Sequence, residues 1–339
     1  MIIQSASRHP GRCASPTGMQ SINMKSLPIL SKVVSLLLTP SFPARSLSIT
    51  ESQLVLLVLR QQKGEFEPRQ AGFVPLPSGL VTAGFDQPNI NDESRFLDLL
   101  QRVADQADIR KMGSLSVALP TGSARSLVIA LDSTPSSKTE MAQLVDWKIE
   151  RATGYSIGDL MVSRQRLTDQ NGSPHWLVGV VHQQVLAQYE RLFRQLGWRA
   201  GLISPQNLGA VNWLLRSDVP DDQILVSVNG QGFDVIFVRG QEPIMVREVE
   251  CPAEEVENEF YRLMVYYRDR LVPAGEVPNL SRILTIGTVA DQQRFRELVS
   301  TALDRSIISL NASQLGLRLD PGMSFQQVAV AAGLSAMAW

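Results

Sequence analysis

The chain has 339 residues, 44% of them hydrophobic and 19% charged, with a formal net charge of −1. That length suits two domains or one duplicated domain of ordinary globular composition. The near-zero charge leaves no electrostatic footprint for nucleic acid, and no nucleic-acid-binding motif is present.

Residues 1–37 read as an N-terminal extension. The run Leu27 to Leu38 is too short for a bilayer, which needs about 20 apolar residues, and Lys32 interrupts it. Arg8, Arg12 and Lys25 would suit a signal peptide, but Thr39-Pro-Ser-Phe-Pro43 is a poor cleavage site. A short amphipathic helix from about Met24 is the preferred reading. Residues 1–23 are expected to be disordered or to precede the true start, with Met19 and Met24 as later starts.

Ser46 to Phe73 then reads strand, turn, strand, turn, strand. A Pro/Gly link, Pro75-Leu-Pro-Ser-Gly79, leads to a helix over Glu93 to Ala107, with Phe96, Leu97, Leu100, Val103 and Ala104 at core spacing. Leu115 to Leu119 and Ser126 to Leu131 read as strands. Ser137-x-x-Glu140 is a capping box, followed by Met141, Leu144, Val145, Ile149 and Ala152 as an apolar face. Strands over Leu160 to Leu167 and Trp176 to Val181 are joined by the turn Asp169-Gln-Asn-Gly172. A long helix with Leu186, Tyr189, Phe193 and Leu196 on one face ends at Gly197.

Leu225 to Glu250 repeats the three-strand pattern of Ser46 to Phe73 half a chain later, which implies a duplicated unit. A helix over Ala253 to Leu271, a buried strand over Arg282 to Ile286, and helices over Asp291 to Leu303 and Ser324 to Leu334 complete the chain. Strands alternating with helices in two halves give an α/β class.

The polar turn between the first two strands of each unit is a natural anion cradle. Nucleotide binding there calls for an acid to hold a metal and a glycine to admit phosphate. Ser48 and Ser227 stand where the acid would be. Asn229-Gly230-Gln231-Gly232 reads either as a relic phosphate cradle or as a tight hairpin. Gly287 either faces a base or merely ends a buried strand. His175 and His182 lack the neighbours of a metal site, so no metal is expected. Asp146, Glu150 and Glu190 read as solvated helix faces, and Tyr261, Tyr266 and Tyr267 as core packing. Cys13 and Cys251 have no motif spacing and read as free thiols of a reducing compartment. No Ser-His-Asp order, nucleophile elbow or Walker A loop points to catalysis, so no catalytic residue is named.

From about Leu38 onward the chain resembles the type IV pilus assembly protein PilM family. The segments that carry the resemblance are Val117-Ala-Leu-Pro120, Glu140 to Thr153 around Trp147-Lys-Ile-Glu150, Ala187-Gln-Tyr-Glu190 with Leu196-Gly197, and Leu225 to Arg239. The resemblance implies an actin-like, ribonuclease H-like duplicated fold. Residues 38–220 would be the first half, carrying an inserted FtsA/PilM-type subdomain over 113–181, and residues 221–339 the second half. It implies a cytoplasmic protein at the inner membrane that binds the cytosolic tail of a PilN-like single-pass partner, together with other pilus assembly proteins. The family's phosphate loops read Asp-Ile-Gly, where this chain has Ser48-Ile49-Thr50 and Ser227-Val228-Asn229. Its adenosine loop falls on Ile286-Gly287-Thr288-Val289. Degenerate cofactor-binding positions are therefore Asn229, Gly230, Gly232 and Gly287, and no cofactor is expected, with ATP as the alternative. The alternatives to a non-catalytic scaffold are an actin-like ATPase or sugar-kinase-like enzyme, and a component of the type II secretion GspL family.

Overall fold

The computed structural model describes residues 42–132, 135–170, 173–273, 275–287 and 291–339. The expected helix near Met24, the turn residues Asn171 and Gly172, and Thr288-Val289 lie outside them. The first half contains β1 (Arg45–Ile49), β2 (Gln53–Gln62), β3 (Glu65–Pro75), α1 (Glu93–Gln106) and β4 (Ser114–Leu119). There follow β5 (Ala124–Ala130), α2 (Lys138–Thr153), β6 (Leu160–Gln170), β7 (Ser173–His182), α3 (Gln183–Gln195), β8 (Arg199–Pro205) and α4 (Gln206–Leu215). The second half contains β9 (Asp222–Asn229), β10 (Gly232–Arg239), β11 (Glu242–Glu250), α5 (Val256–Tyr266), β12 (Arg282–Ile286), α6 (Gln292–Leu303), β13 (Ile308–Ser309) and α7 (Phe325–Ala336).

Two five-stranded sheets have the same plan. Their orders are β3-β2-β1-β4-β8 and β11-β10-β9-β12-β13. In each, an antiparallel meander of three strands is extended by two parallel ones on the side of its first strand. The repeated three-strand units thus belong to separate sheets, one per half.

The parallel centre of the first sheet corrects one expectation. Leu115 to Leu119, inside the expected 113–181 subdomain, is not part of its sheet. It is β4, held between β1 and β8, with Leu115, Val117, Ala118 and Leu119 all fully buried. A strand covered on both faces reads as a continuous apolar run and not as an alternation, which is how this one reads. The projecting unit is a three-stranded antiparallel sheet, β5-β7-β6, so it begins at Ala124 and not at Gly113. β8, α4 and β13 carry no signal that sequence reasoning used. α4 has no side-chain cap, since Pro205 precedes it, and β13 is two residues long.

The inserted sheet has two different faces. On one, α2 lays Val145 and Ile149 against Leu160, Trp176, Val178 and Val180. Ser137 caps α2 by accepting from the Glu140 N–H at 3.1 Å. The Glu140 carboxylate closes the box one residue earlier than expected, accepting from the backbone N–H of Ser136 at 3.0 Å. On the other face, Leu167 and Leu177 enter the core between the halves. The tip of the insert is tied to the second half by Glu242, which accepts from Thr168 N–H at 3.0 Å and from its hydroxyl at 2.9 Å. Among the described residues β6 is the end strand of this sheet and pairs with β7.

α7 is apolar all round, as a helix enclosed by other elements must be. Val328, Ala329, Ala331, Ala332 and Ala336 join one core with Val55, Leu57 and Leu59 of β2, Leu208 to Leu214 of α4, and Leu225 and Ile236 of the second sheet. The outer face of the second sheet packs on α5 and α6 through Phe233, Phe237, Phe260 and Phe295. Of the three helical tyrosines, Tyr267 takes the core role: it stacks on Phe237 at 4.9 Å and donates its hydroxyl to Asp222 at 2.8 Å. Tyr261 and Tyr266 are exposed.

Candidate functional site

The β1–β2 and β9–β10 turns face each other across a cleft of about 380 Å³ between the halves, with Gln206 at the start of α4 and Gln326 on α7 as its other walls. Asn229, Gly230 and Gly287 line it, with Ser48, Thr50, Glu51 and Ser227. Gly232 does not. Its φ is +137°, and the space a side chain would need there is filled by the Val249 carbonyl on β11. Gly287, at φ +118°, is likewise held against the Val228 backbone. Both glycines serve the close approach of strands. Asn229 to Gly232 is a two-residue hairpin, with Gly232 paired to Asn229.

The turns look like anion cradles, but several of their donors are already used within the chain. Thr50 Oγ1 accepts from Gln53 N–H at 3.0 Å and from Ser52 N–H at 3.3 Å. Asn229 Oδ1 accepts from Gln231 N–H at 2.8 Å. Gln326 Oε1 accepts from Gly287 N–H at 2.9 Å, and its Nε2 donates to the Thr285 carbonyl at 3.1 Å. Gln206 does the same for the first sheet: its Oε1 accepts from Ser48 Oγ at 3.2 Å and its Nε2 donates to the Ile49 carbonyl at 2.6 Å. The two glutamines were missed from sequence, because their partners lie more than a hundred residues away or beyond a turn whose outcome no motif fixes.

A row of side chains on the second sheet leads from the cleft to a smaller cavity. Ile286, Ser227, Asp234 and Glu248 stand in register across β12, β9, β10 and β11. Ser227 Oγ is buried without a hydrogen-bond partner. Asp234 is 4% exposed and lines a small cavity of about 20 Å³ beside the cleft, with Glu248, Arg125, Ser126, Thr121, Gln206 and Asn207. Burial, and then the negative charge of Glu248, push the Asp234 carboxyl up to about 7. The signal for it was available: an acid inside the apolar strand Gly232-Phe-Asp-Val-Ile-Phe-Val238.

Among the described residues no group of three or more His, Cys, Asp or Glu side chains is placed to hold a metal. No family model matches this chain, and no curated protein matches it. Among solved structures it is similar to a chain of the PilM-PilN type IV pilus biogenesis complex, with a TM-score of 0.69 and 17% identity, over 88% of this chain and 99% of that one. The chain has a duplicated, actin-like α/β fold. Lower similarities include the cytoplasmic domain of EpsL, an inner membrane component of the type II secretion system of Vibrio cholerae, at TM-score 0.46 and 13% identity over 87% of this chain and 93% of that one. A protein of actin-like ATPase fold and unknown function from Bacteroides thetaiotaomicron matches at TM-score 0.47 and 11% identity, over 85% and 94%.

An actin-like fold implies a metal nucleotide in this cleft, and the described residues do not fit one. Triphosphate calls for cationic side chains, free N–H groups and a metal. Glu51 is the one charged side chain among the residues lining the cleft, and it is an acid. Several of the turn amides are claimed as above, no cationic side chain or metal-holding acid joins the remaining ones among the described lining residues, and Ser48 spends its hydroxyl on Gln206.

Proposed function

We propose that this chain is a non-catalytic scaffold of type IV pilus assembly, standing on the cytoplasmic side of the inner membrane and holding the cytosolic tail of a PilN-like partner. Other pilus assembly proteins would join it there. The likeness in fold to a chain of the PilM-PilN complex supports this reading. Among the described residues no helix is long and apolar enough to cross a membrane; in this reading the partner supplies the membrane contact.

The observation that carries the proposal is the place of β6 at the end of the inserted three-stranded sheet, beside exposed apolar side chains of the same subdomain. An extended tail adds a strand to such an edge, gaining affinity from main-chain hydrogen bonds and specificity from apolar pockets. Trp147 on α2 and Met161 on β6 are exposed apolar side chains of the same subdomain. Arg164 does not reach outward as the alternation of the strand suggests, because it pairs with Asp146 of α2. Arg166 lies over the Trp176 ring at 5.8 Å. A tail that is disordered alone loses entropy on docking, so these anchors are needed.

The test is capture of the partner's tail peptide by the full chain and by the double variant Trp147→Ala, Met161→Glu. Both positions are solvent-exposed, so the fold should survive. The expected loss is about tenfold or more in affinity, as for apolar anchors worth over 1.4 kcal/mol. Raising salt should weaken binding by much less, since the contacts are main-chain and apolar. Undiminished binding by the double variant places the tail elsewhere.

The same reading expects no ATP turnover. Ser48 and Ser227 cannot replace metal-positioning carboxylates, and phosphoryl transfer depends on that positioning. Phosphate release by purified protein should match that of the Gly230→Trp variant. Turnover above that control would make the chain an enzyme.

A further inference from the structure

We propose that the cavity beneath the cleft, between β10–β11, β5 and the start of α4, binds a hard divalent cation, Mg²⁺ or Ca²⁺, without a nucleotide, using Asp234 at its floor and Glu248 at its rim. Asp234 is 4% exposed, and its carboxylate has no hydrogen-bond partner among the described residues. A buried carboxylate left in that state is costly unless something positive or a proton meets it. Its cross-strand neighbour is a second acid, Glu248, in direct register. Directly opposed residues of an antiparallel pair have Cβ atoms about 5 Å apart, and like charges there repel.

The rest of the lining suits such an ion. The side chains of Thr121, Ser126 and Asn207 bring neutral oxygen atoms to a space of about 20 Å³, enough for one water-sized occupant. Ser126 Oγ donates to Asn207 Oδ1 at 3.0 Å, and Gln206 is already bonded to the first sheet. One or two carboxylates, neutral oxygens and retained waters are how Mg²⁺ is held, and Ca²⁺ takes the same ligand class. Arg125 is the one cationic side chain of the lining. It lies over the Phe85 ring at 4.4 Å and reaches the Thr153 carbonyl at 3.5 Å, and its charge offsets part of that of Glu248. Two acids against one arginine leave the cavity net negative. Ser227, next in the same row, holds an unpartnered hydroxyl on the cleft side. The acid missing from the turn has its chemical counterpart one strand away, facing a space too small for a nucleotide.

The experiment uses the full chain at pH 8, after treatment with a chelator and its removal. Thermal unfolding is followed with 10 mM MgCl₂ or CaCl₂, and with NaCl at matched ionic strength as the control. An ion bound at about millimolar affinity should raise Tm by about 2 °C over the NaCl control. Asp234→Asn should lose that response while folding normally, and Glu248→Gln should reduce it. The shift should be the same with and without ATP. Equal Tm values in all three salts overturn the proposal, as does an undiminished response in Asp234→Asn. A response confined to the ATP arm assigns the metal to a nucleotide and overturns it too.

Discussion

With a chelator present, Asp234→Asn should unfold at a higher urea concentration than the parent chain at pH 8, and at nearly the same concentration at pH 4. Asp234 is 4% exposed, and among the described residues nothing hydrogen-bonds its carboxyl. Burial, helped by Glu248 on the neighbouring strand, raises its pKa from 3.8 to about 7. The folded state therefore binds the proton more tightly than the unfolded chain. Its stabilising effect is complete below about pH 3.8, is lost as pH rises through about 7, and stays lost above. Glu248 on β11 and Arg125 on β5 are the charged groups facing it, and α4 contributes only Gln206 and Asn207, both neutral. Asparagine has nearly the shape of the neutral acid and does not titrate. Three pH units would correspond to about 4 kcal/mol. The asparagine amide is itself buried without a full set of partners, so the gain expected at pH 8 is on the order of 2 kcal/mol. Urea transitions of both proteins at four pH values between 4 and 8 decide it. A difference that does not change with pH means that Asp234 titrates normally in the folded state.

The duplicated plan of the fold was legible because it is written in local chemistry. Polar turns recur at Thr50 and at Asn229, each between apolar runs of strand length. The amphipathic helices were legible for the same reason: Phe96, Leu100 and Val103, or Tyr189 and Phe193, repeat at the helical period. β4 was recognised as a strand but given to the wrong sheet. Its residues say only that both faces are covered, and what covers them is decided by β1 and β8. The turn positions of the cleft could be named from sequence, with Ser48 and Ser227 in place of acids. What those turns do instead could not. The bond between Ser48 and Gln206 spans 158 residues, and no local pattern distinguishes a glutamine that closes a cleft from one that faces water. Asp234 was visible as an acid in an apolar strand, but its lack of a partner is a property of the packed molecule.

Gly333→Ala should lower stability by about 2–4 kcal/mol, the range of a core overpacking that the backbone cannot absorb. Gly333 lies on α7 at its crossing with α4. A Cβ there would fall well inside the van der Waals radius of the Gly209 carbonyl oxygen, and at 3.0 Å from its carbon. Both are backbone atoms of a helix, so no rotamer change relieves the clash, and the two helices must move apart. That separation would stretch the bonds that hold them: Trp213 Nε1 to the Ala329 carbonyl at 2.9 Å, and Asn212 Nδ2 to the Gly333 carbonyl at 2.9 Å. Alanine gains about 1 kcal/mol over glycine in helix propensity, which works against the effect without cancelling it. Gly230→Ala is the control. Nothing lies within 4 Å of its Cβ position, and its stability should stay within about 0.5 kcal/mol of the parent. Urea unfolding with an unchanged slope separates lost stability from a changed unfolded state. The consequence reaches function because α7 binds both halves. Ser335 on α7 donates to the Ala44 carbonyl at 2.6 Å and accepts from Leu59 N–H at 2.9 Å in the first sheet. The inner face of the inserted sheet rests on the same core through Leu167 and Leu177. If the proposed function holds, folded Gly333→Ala should therefore also hold a PilN-like tail more weakly than the parent, although the substitution lies in the core and not on β6. A variant as stable as the parent would show that the α4–α7 crossing yields freely, and that the halves are not fixed by it.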